Sequence, residues 1–259
     1  MIGFLYGQTE YNMLKSAMRL DDYVKKAKAY GYESLSITDH NMYGHYKFYN
    51  LCQENGIKPL IGLELSLKAC DDKTDKIITY ALNNKGYREL LKISSMDKLE
   101  SKVFSIDELA KLENIIFITS YDSEWYRSDD FNELLTNYSR LKHFGIGLSF
   151  AGKSILKQSN LLYEFVSSNN IAYYPISPTL YDTLEDYDAY EALSLIGGEQ
   201  PLNYIDFHLK KPSELEEEFF MHEGAFSYYE KLVNRVDLTI SKVSKSLPSF
   251  DTGLNTSSA

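Results

Sequence analysis

The sequence predicts an α/β fold on a sheet of mostly parallel strands, either closed into a barrel or open and doubly wound. Short apolar runs of strand length alternate along the chain with longer segments whose apolar residues recur at helical spacing. This alternation favours parallel pairing with crossover helices. The size agrees, because 259 residues, 44% of them hydrophobic, can bury one large core and suit a single α/β barrel.

The segment 34–67 has the clearest pattern, that of a βαβ unit. Its first apolar run ends directly before Asp39 and His40, and a helix is predicted over about 43–55. The second apolar run carries Glu64 among leucines and isoleucines. Loops beyond the strand ends carry the chemistry in barrels of this kind. Asp39, His40 and Glu64 therefore stand where metal ligands could lie.

The rest of the chain extends the alternation. A helix is predicted from Asp21, where acidic residues suit the positive end of the helix dipole, to Gly31. Further strands are predicted at 2–6, 77–82, 114–119, 144–150 and 171–176, and the charged segment 69–76 as a solvated turn. Further helices are predicted near 87–93, 106–112, 131–141, 154–168, 187–196 and 225–244. Ser128 is predicted to cap the helix near 131, and Thr183 with Asp186 to form a capping box.

Charge and composition exclude several classes of function. The formal net charge is −10, from 37 acidic and 27 scattered basic residues, so the chain alone should bind DNA phosphates poorly. No apolar run approaches the ~20 residues of a membrane span, and the N-terminus lacks the pattern of a signal peptide. Cys52 and Cys70 have no metal-type spacing and fit a reducing, cytoplasmic compartment. His45 is expected on a helix surface.

Five stretches, in order, resemble the PHP (polymerase and histidinol phosphatase) domain of the bacterial DNA polymerase III alpha subunit. They are TDHNMYGHYKFYNLCQENGIKPLIGLEL at 38–65, ALNNKGYRELLKISS at 81–95, LYDTLEDYDAYEALSLIGG at 180–198, FHLKKPSELEEEF at 207–219 and LPSF at 247–250. The resemblance favours the barrel over the open sheet. It implies a distorted seven-stranded (β/α) barrel over 1–200 and an appended C-terminal helical connector over 201–259, ending in a structureless polar tail.

The resemblance also implies a metal site whose His, Asp and Glu ligands activate a water against a phosphoester. Asp39, His40 and Glu64 match such positions. Other matching positions carry residues that ligate divalent metals poorly or not at all, namely Phe4, Tyr6, Gln8, Pro178 and Leu180. The expectation is a degenerate site with no catalytic residue in this chain, in which Asp39, His40 and Glu64 hydrogen-bond within the protein or bind zinc or manganese weakly.

By resemblance, the parent enzyme is a magnesium-dependent DNA-directed DNA polymerase of bacterial replication, a nucleotidyltransferase. The expected role of this chain is a structural and interaction scaffold. Its expected partners are the polymerase palm and thumb of the same parent chain and other replisome proteins, with DNA reached only through the parent enzyme and no membrane. The alternative is an active metal-dependent phosphoesterase, either a 3′–5′ proofreading exonuclease or a pyrophosphatase.

Overall fold

The computed structural model of the chain describes residues 1–68, 74–198, 200, 206–222 and 224–241. Part of the predicted turn (69–73), Cys70, the matching stretch 247–250 and the tail predicted to be structureless lie outside the described residues.

Strands and helices alternate through most of the described chain. Strands β1 to β8 span Leu5–Gly7, Ser34–Ile37, Lys58–Lys68, Thr74–Ala81, Phe104–Ser105, Ile115–Thr119, Phe144–Leu148 and Tyr173–Thr179. Helices α1 to α9 span Leu20–Ala29, His45–Glu54, Asn84–Glu100, Ile106–Leu109, Phe131–Tyr138, Lys153–Ser168, Tyr187–Ile196, Pro212–Glu218 and Gly224–Arg235. Short 3₁₀ turns lie at Glu124–Tyr126 and Leu184–Asp186.

Seven strands form one sheet in the order β1-β8-β7-β6-β4-β3-β2, and the short β5 pairs with β3. The two ends of this order meet, because the backbone N–H of Thr38 after β2 donates to the Gly7 carbonyl of β1 at 2.7 Å. Gly7 is required there, since a Cβ would lie 2.1 Å from the Tyr23 hydroxyl and 2.5 Å from the Ser36 carbonyl. The nearly closed, mixed sheet with flanking helices confirms the predicted barrel.

Parallel pairing, as predicted, joins β1 to β8, β8 to β7, β7 to β6 and β2 to β3. Strand β4 is the exception. Strand β4 runs antiparallel to both of its neighbours, β3 and β6. The segment between β3 and β4, 69–73, is too short for the crossover of a dozen or more residues that parallel neighbours need. Residues 74–76, predicted as part of a turn, therefore begin a strand at the end of the barrel where the parallel strands terminate.

The sheet separates two apolar layers, one inside the barrel and one between the strands and the helices. Inside the barrel lie alternate residues of the strands, such as Leu60, Ile78, Tyr80, Ile116, Ile118 and Ile176. Outside it, the opposite strand faces pack against the helices through residues such as Val24, Leu35, Phe48, Leu63, Leu90 and Leu162. This separation follows from the alternation of side chains along a strand.

Of the two helix caps predicted from the sequence, one is present and the other is replaced by a neighbouring residue. Thr183 and Asp186 form the predicted capping box, with the Thr183 N–H and hydroxyl donating to Asp186 Oδ2 at 2.9 and 2.8 Å. Helix α5 is capped by Asp130 rather than Ser128, because the Asp130 carboxylate accepts the Glu133 N–H at 3.0 Å. The Ser128 hydroxyl instead accepts the Asp130 N–H at 3.0 Å.

The last described helices, α8 and α9, pack on the barrel. Tyr229 of α9 is fully buried and its hydroxyl lies 2.8 Å from Ser34 Oγ of β2. Leu215 and Phe219 join the outer apolar layer. The boundary near residue 200 stays a prediction. Within the described residues, no helix has both the length and the apolarity that a membrane span requires.

Candidate functional site

A polar cavity of about 180 Å³ lies at the end of the barrel where β1, β2, β6 and β8 terminate, beside the middle of the long strand β3. Because β4 runs in the opposite direction, its first residues lie at the same end. The lining residues are Tyr6, Gln8, Lys15, His40, Glu64, Lys76, Tyr121, Asp122, Leu180, Tyr190, Ser194 and Gln200. Of the three predicted ligand-type residues, His40 and Glu64 line the cavity.

Glu64 is the centre of the hydrogen bonding in the cavity. Its Oε1 lies 2.7 Å from His40 Nε2, and the Tyr6 hydroxyl donates to its Oε2. Gln8 Nε2 also donates to Oε2 at 3.3 Å, and the Lys76 ammonium lies 3.9 Å from Oε1. Burial opposes ionisation of this carboxyl, but the charge and hydrogen bond of His40, aided by Lys76 and Tyr6, lower the pKa of Glu64 to about 2. Glu64 is therefore a buried, ionised and fully bonded carboxylate.

Asp39 is turned away from Glu64 towards the chain after β1. The Thr9 N–H donates to its Oδ1 at 2.6 Å and the Thr9 hydroxyl to its Oδ2 at 2.7 Å. Complete burial raises the pKa of Asp39 to about 7, although the two bonds from Thr9 act in the opposite direction. Asp39 thus ties the turn after β2 to the turn after β1, and both of its oxygens are engaged.

Tyr6 of strand β1 and Gln8, directly after it, contribute a hydroxyl and an amide to the cavity. Both stand at positions that match metal ligands in the family that the sequence resembles. Tyr6 has a φ of 86°, a left-handed conformation that is unfavourable for a bulky residue. Its N–H donates to the Tyr80 hydroxyl at 3.0 Å, which helps to hold this backbone. Gln8 Oε1 accepts from Asn12 Nδ2 at 2.8 Å, so the amide is oriented with its donor group towards Glu64. Burial, followed by the charge of Glu64, raises the pKa of Tyr6 well above its usual range, which keeps the hydroxyl a donor.

The other three matching positions do not supply polar groups. Phe4 faces away from the cavity into the outer layer, where its ring meets Tyr32 edge-on with centroids 5.5 Å apart. Pro178 is buried within β8. Leu180 lines the cavity with its side chain, and its carbonyl accepts the Ser16 hydroxyl at 2.9 Å. The β8 side of the cavity is therefore apolar where the family pattern has ligands.

Sequence reasoning missed Lys76 and Asp122, which meet at the cavity with Lys76 Nζ 2.5 Å from Asp122 Oδ2. The Ser120 hydroxyl donates to the other oxygen of Asp122 at 2.6 Å. Lys76 lies on the inner face of β4 in step with Ile78, whereas Asp75 and Ile77, which alternate with them, are buried on the outer face. This period of two was the available signal, but the charges of the segment 69–76 indicated a turn.

His45 differs from its predicted place on a helix surface. It is completely buried at the first residue of α2, and its Nε2 lies 2.6 Å from the Gly62 carbonyl. Burial lowers the pKa of His45 to about 4, so the ring is neutral near pH 7. The helix start therefore faces the barrel at β3, where the Gly62 carbonyl bonds to the ring, rather than solvent. Cys52, on the same helix, is buried.

The residues present do not fit a hydrolytic metal centre. Among the described residues, no group of three or more His, Cys, Asp or Glu side chains is placed to hold a metal ion. Both oxygens of Glu64 and both of Asp39 already accept bonds from protein groups. A metal would have to displace these donors, and Lys76 adds a positive charge 3.9 Å from Glu64.

Fold and site together define an α/β barrel with a polar cavity at its strand ends, the usual place of function in barrels. The family model of the PHP domain matches residues 6–158. The chain belongs to the PHP domain family.

Its curated relatives include DNA polymerase III alpha subunits. The subunit of Halalkalibacterium halodurans is 33% identical over 145 residues, which are 54% of this chain and 13% of the relative. That of Aquifex aeolicus is 37% identical over an alignment of 108 residues, and the match covers 36% of this chain and 9% of the relative. That of Bacillus subtilis is 41% identical over 95 residues, 36% of this chain and 8% of the relative. The chain thus spans only a small part of the length of these relatives.

Solved structures share the fold at low sequence identity. An amidohydrolase from Chromobacterium violaceum with bound sulfate and no metal has a TM-score of 0.51 and 12% identity, covering 73% of this chain and 96% of that one. A protein assigned as a metal-dependent phosphoesterase from Bifidobacterium adolescentis has a TM-score of 0.50 and 10% identity, covering 84% of this chain and 95% of that one. At these identities the likeness shows the fold alone.

Proposed function

We propose that this chain serves as the N-terminal PHP domain of a bacterial replicative DNA polymerase III alpha subunit, in the cytoplasm, and that the domain itself is non-catalytic. The barrel would comprise residues 1–200, and 201–259 would connect it to the polymerase palm. The polymerase reaction, a magnesium-dependent transfer of nucleotides to a primer, would lie in parts of the relatives that this chain does not match. Membership of the family and the three related alpha subunits support this proposal.

One observation carries the proposed loss of catalysis, namely that the buried carboxylates of the cavity are saturated by the protein's own donors. His40, Tyr6 and Gln8 surround Glu64. A hydrolytic centre needs several carboxylates and imidazoles whose lone pairs point at the ions. Here those lone pairs accept protein hydrogen bonds, which is the arrangement of a structural network. Asp39, His40 and Glu64 are accordingly proposed to hold the strand ends together rather than a metal.

A scaffold role agrees with the charge of the chain. With a net charge of −10, the domain would reach DNA only as part of the whole enzyme. Its proposed partners are the palm and thumb of the same parent chain and other proteins of the replisome, and no membrane.

The second candidate is an active metal-dependent phosphoesterase, acting as a 3′–5′ exonuclease or a pyrophosphatase. It is favoured by the presence in one cavity of an imidazole and two carboxylates, from His40, Glu64 and Asp122. The structural neighbour assigned as a metal-dependent phosphoesterase points the same way. Zinc or manganese would be the metals to test.

Elemental analysis combined with a hydrolysis assay separates the two candidates. The chain is dialysed against metal-free buffer without chelator, analysed for zinc, manganese and iron, and then assayed with added manganese or zinc on a generic phosphoester and on a 3′-mismatched primer. We expect substoichiometric metal and no hydrolysis by the wild type or by His40→Ala.

His143→Ala is the matched control, because His143 precedes β7 at the opposite end of the barrel. Hydrolysis by the wild type and by His143→Ala, together with its loss in His40→Ala, would establish the active phosphoesterase and refute the scaffold proposal.

A further inference from the structure

The direction of β4 places an ammonium group inside the cavity. Lys76 stands opposite Ser66 in the antiparallel register, two residues from Ile78, which stands opposite Glu64. Its side chain therefore shares the inner face with Glu64. The side chain is 39% exposed, so the stem lies along the cavity mouth and the ammonium reaches inward.

The ammonium connects two carboxylates that come from different strands. Lys76 Nζ is 2.5 Å from Asp122 Oδ2 and 3.9 Å from Glu64 Oε1. Asp122 follows β6 and Glu64 lies in β3, the two neighbours of β4. The His40 imidazole adds a third group, at 2.7 Å from the same Glu64 oxygen. The contacts of Lys76 are thus those of a cation held between carboxylates at a strand end.

A buried carboxylate requires such a cation. The Glu64 side chain is only 2% exposed, and burial of an ionised carboxyl without a compensating charge is costly. The Tyr6 and Gln8 donors supply hydrogen bonds but no net charge. Together with His40, a positive charge on a side chain of β4 meets the requirement without any ion from solution.

We propose that Lys76 is a built-in replacement for a divalent cation, which neutralises Glu64 and Asp122 and excludes metal from the cavity. The inference rests on the proposed non-catalytic function and adds a cation to the donors on which that function depends. Its chemical consequence is specific. Removal of the ammonium leaves Glu64 and Asp122 without the cation between them, and a manganese or zinc ion would take its place by displacing the donors around Glu64.

The test compares Lys76→Met, which keeps the stem and removes the charge, with Lys76→Arg, which keeps the charge. Thermal unfolding is followed in chelator and in excess manganese or zinc, and bound metal is measured after gel filtration. In chelator we expect Lys76→Met to unfold about 3–6 °C below the wild type. Lys76→Arg should unfold close to the wild type. Metal should raise the midpoint of Lys76→Met alone and appear in it at about one ion per chain.

Two further variants show whether the effect belongs to the cavity. Lys142→Met removes the lysine of an exposed ion pair with Glu113 and should neither bind metal nor lose more than about 1–2 °C. Glu64→Gln combined with Lys76→Met removes both charges and should abolish the uptake of metal. Uptake that persists in this double variant would mean that the ion binds elsewhere, and would overturn the proposal.

The remaining outcomes distinguish a failure of the inference about Lys76 from a failure of the proposed function. If the wild type is metal-free but Lys76→Met matches its stability in chelator or gains no metal, the inference about Lys76 is overturned and the proposed function stands. If the wild type, with Lys76 in place, already holds stoichiometric metal, both the inference and the proposed function fail. Metal bound by Lys76→Arg would also overturn the inference, because a retained charge should exclude it.

Discussion

Asp39 and Glu64 are two buried carboxyl groups at the same end of one barrel, and their surroundings give them opposite properties. Burial raises the pKa of Asp39 to about 7, against two hydrogen bonds from Thr9. Burial opposes the ionisation of Glu64 as well, yet His40 and Lys76 lower its pKa to about 2. The two side chains are almost equally inaccessible, at 0% and 4% exposure of the residue.

The comparison shows how much direct contact with cationic groups matters. The two bonds from Thr9 and the more weakly acting charge of His40 do not outweigh the burial of Asp39, whereas the charge and hydrogen bond of His40, with the charge of Lys76, outweigh the burial of Glu64. A buried carboxyl group at a position that matches a metal ligand can therefore have a raised pKa, as Asp39 does, or form one half of an internal ion pair, as Glu64 does. Glu64 is part of such an ion pair because His40 bonds to it and β4 brings Lys76 beside it.

The largest expected effect is an opposite dependence of stability on pH. The folded pKa of Glu64, about 2, lies below its ordinary 4.5, so its stabilisation is present above about pH 4.5 and is lost as the pH falls towards 2. The folded pKa of Asp39, about 7, lies above its ordinary 3.8. Its contribution is therefore fully present below about pH 3.8 and is lost as the pH rises through 7. At about 1.4 kcal/mol per pKa unit, the swings are about 3 and about 4 kcal/mol.

Urea unfolding of the wild type, Glu64→Gln and Asp39→Asn from about pH 3 to about pH 8 checks this contrast. Asp39→Asn should remove a decline between about pH 4 and 7, and Glu64→Gln should flatten the loss on the acid side. His45, whose pKa falls from 6.5 to about 4, adds stability as the pH rises through that interval. The difference from the wild type therefore isolates each carboxyl. Parallel curves for all three proteins would contradict the contrast.

At pH 7 the same two amide substitutions should differ in cost. Glu64→Gln removes the charge that faces His40 and Lys76, and we expect a loss of about 2–3 kcal/mol in the free energy of unfolding. Asp39→Asn keeps one oxygen for the Thr9 N–H and replaces a carboxyl that is half protonated near pH 7, so the expected loss is at most about 1 kcal/mol. Chemical denaturation measures both, and equal costs would show that charge compensation does not distinguish the two sites.

An effect smaller than that of Glu64→Gln is expected for the neutral donors around Glu64. Tyr6→Phe removes the hydroxyl that donates to Glu64 Oε2 while keeping the ring that packs edge-on against Tyr121 with centroids 5.5 Å apart. We expect a loss of about 1–2 kcal/mol, because His40 and Lys76 still compensate the charge.

Tyr126→Phe is a matched control for Tyr6→Phe, since the Tyr126 hydroxyl donates to the Gly147 carbonyl at 3.1 Å outside the cavity. The acid transition that belongs to Glu64 should move to higher pH in Tyr6→Phe and stay unchanged in Tyr126→Phe. A loss in Tyr6→Phe as large as that of Glu64→Gln would mean that the hydroxyl, and not the cations, stabilises the carboxylate.

The sequence by itself determined the class of fold, most of the elements and the turn that carries Asp39 and His40. Local patterns suffice for these, because helical and strand periods of apolar residues report which face of each element is buried. The resemblance to the PHP domain, confirmed by the match over 6–158, also selected the barrel. Glu64 was identified from its local pattern, because it is a single acidic residue within an apolar strand.

Only the tertiary structure decided which groups meet these residues. Lys76 and Asp122 are 46 positions apart and pair because β4 runs antiparallel to β6, a direction that its own residues do not encode. His45 was expected at the surface and is buried because the start of α2 packs on β3, where the ring meets the Gly62 carbonyl. The opposite pKa values of Asp39 and Glu64 have the same origin. Burial and neighbouring charge are properties of the assembled barrel, set by contacts between residues distant in sequence.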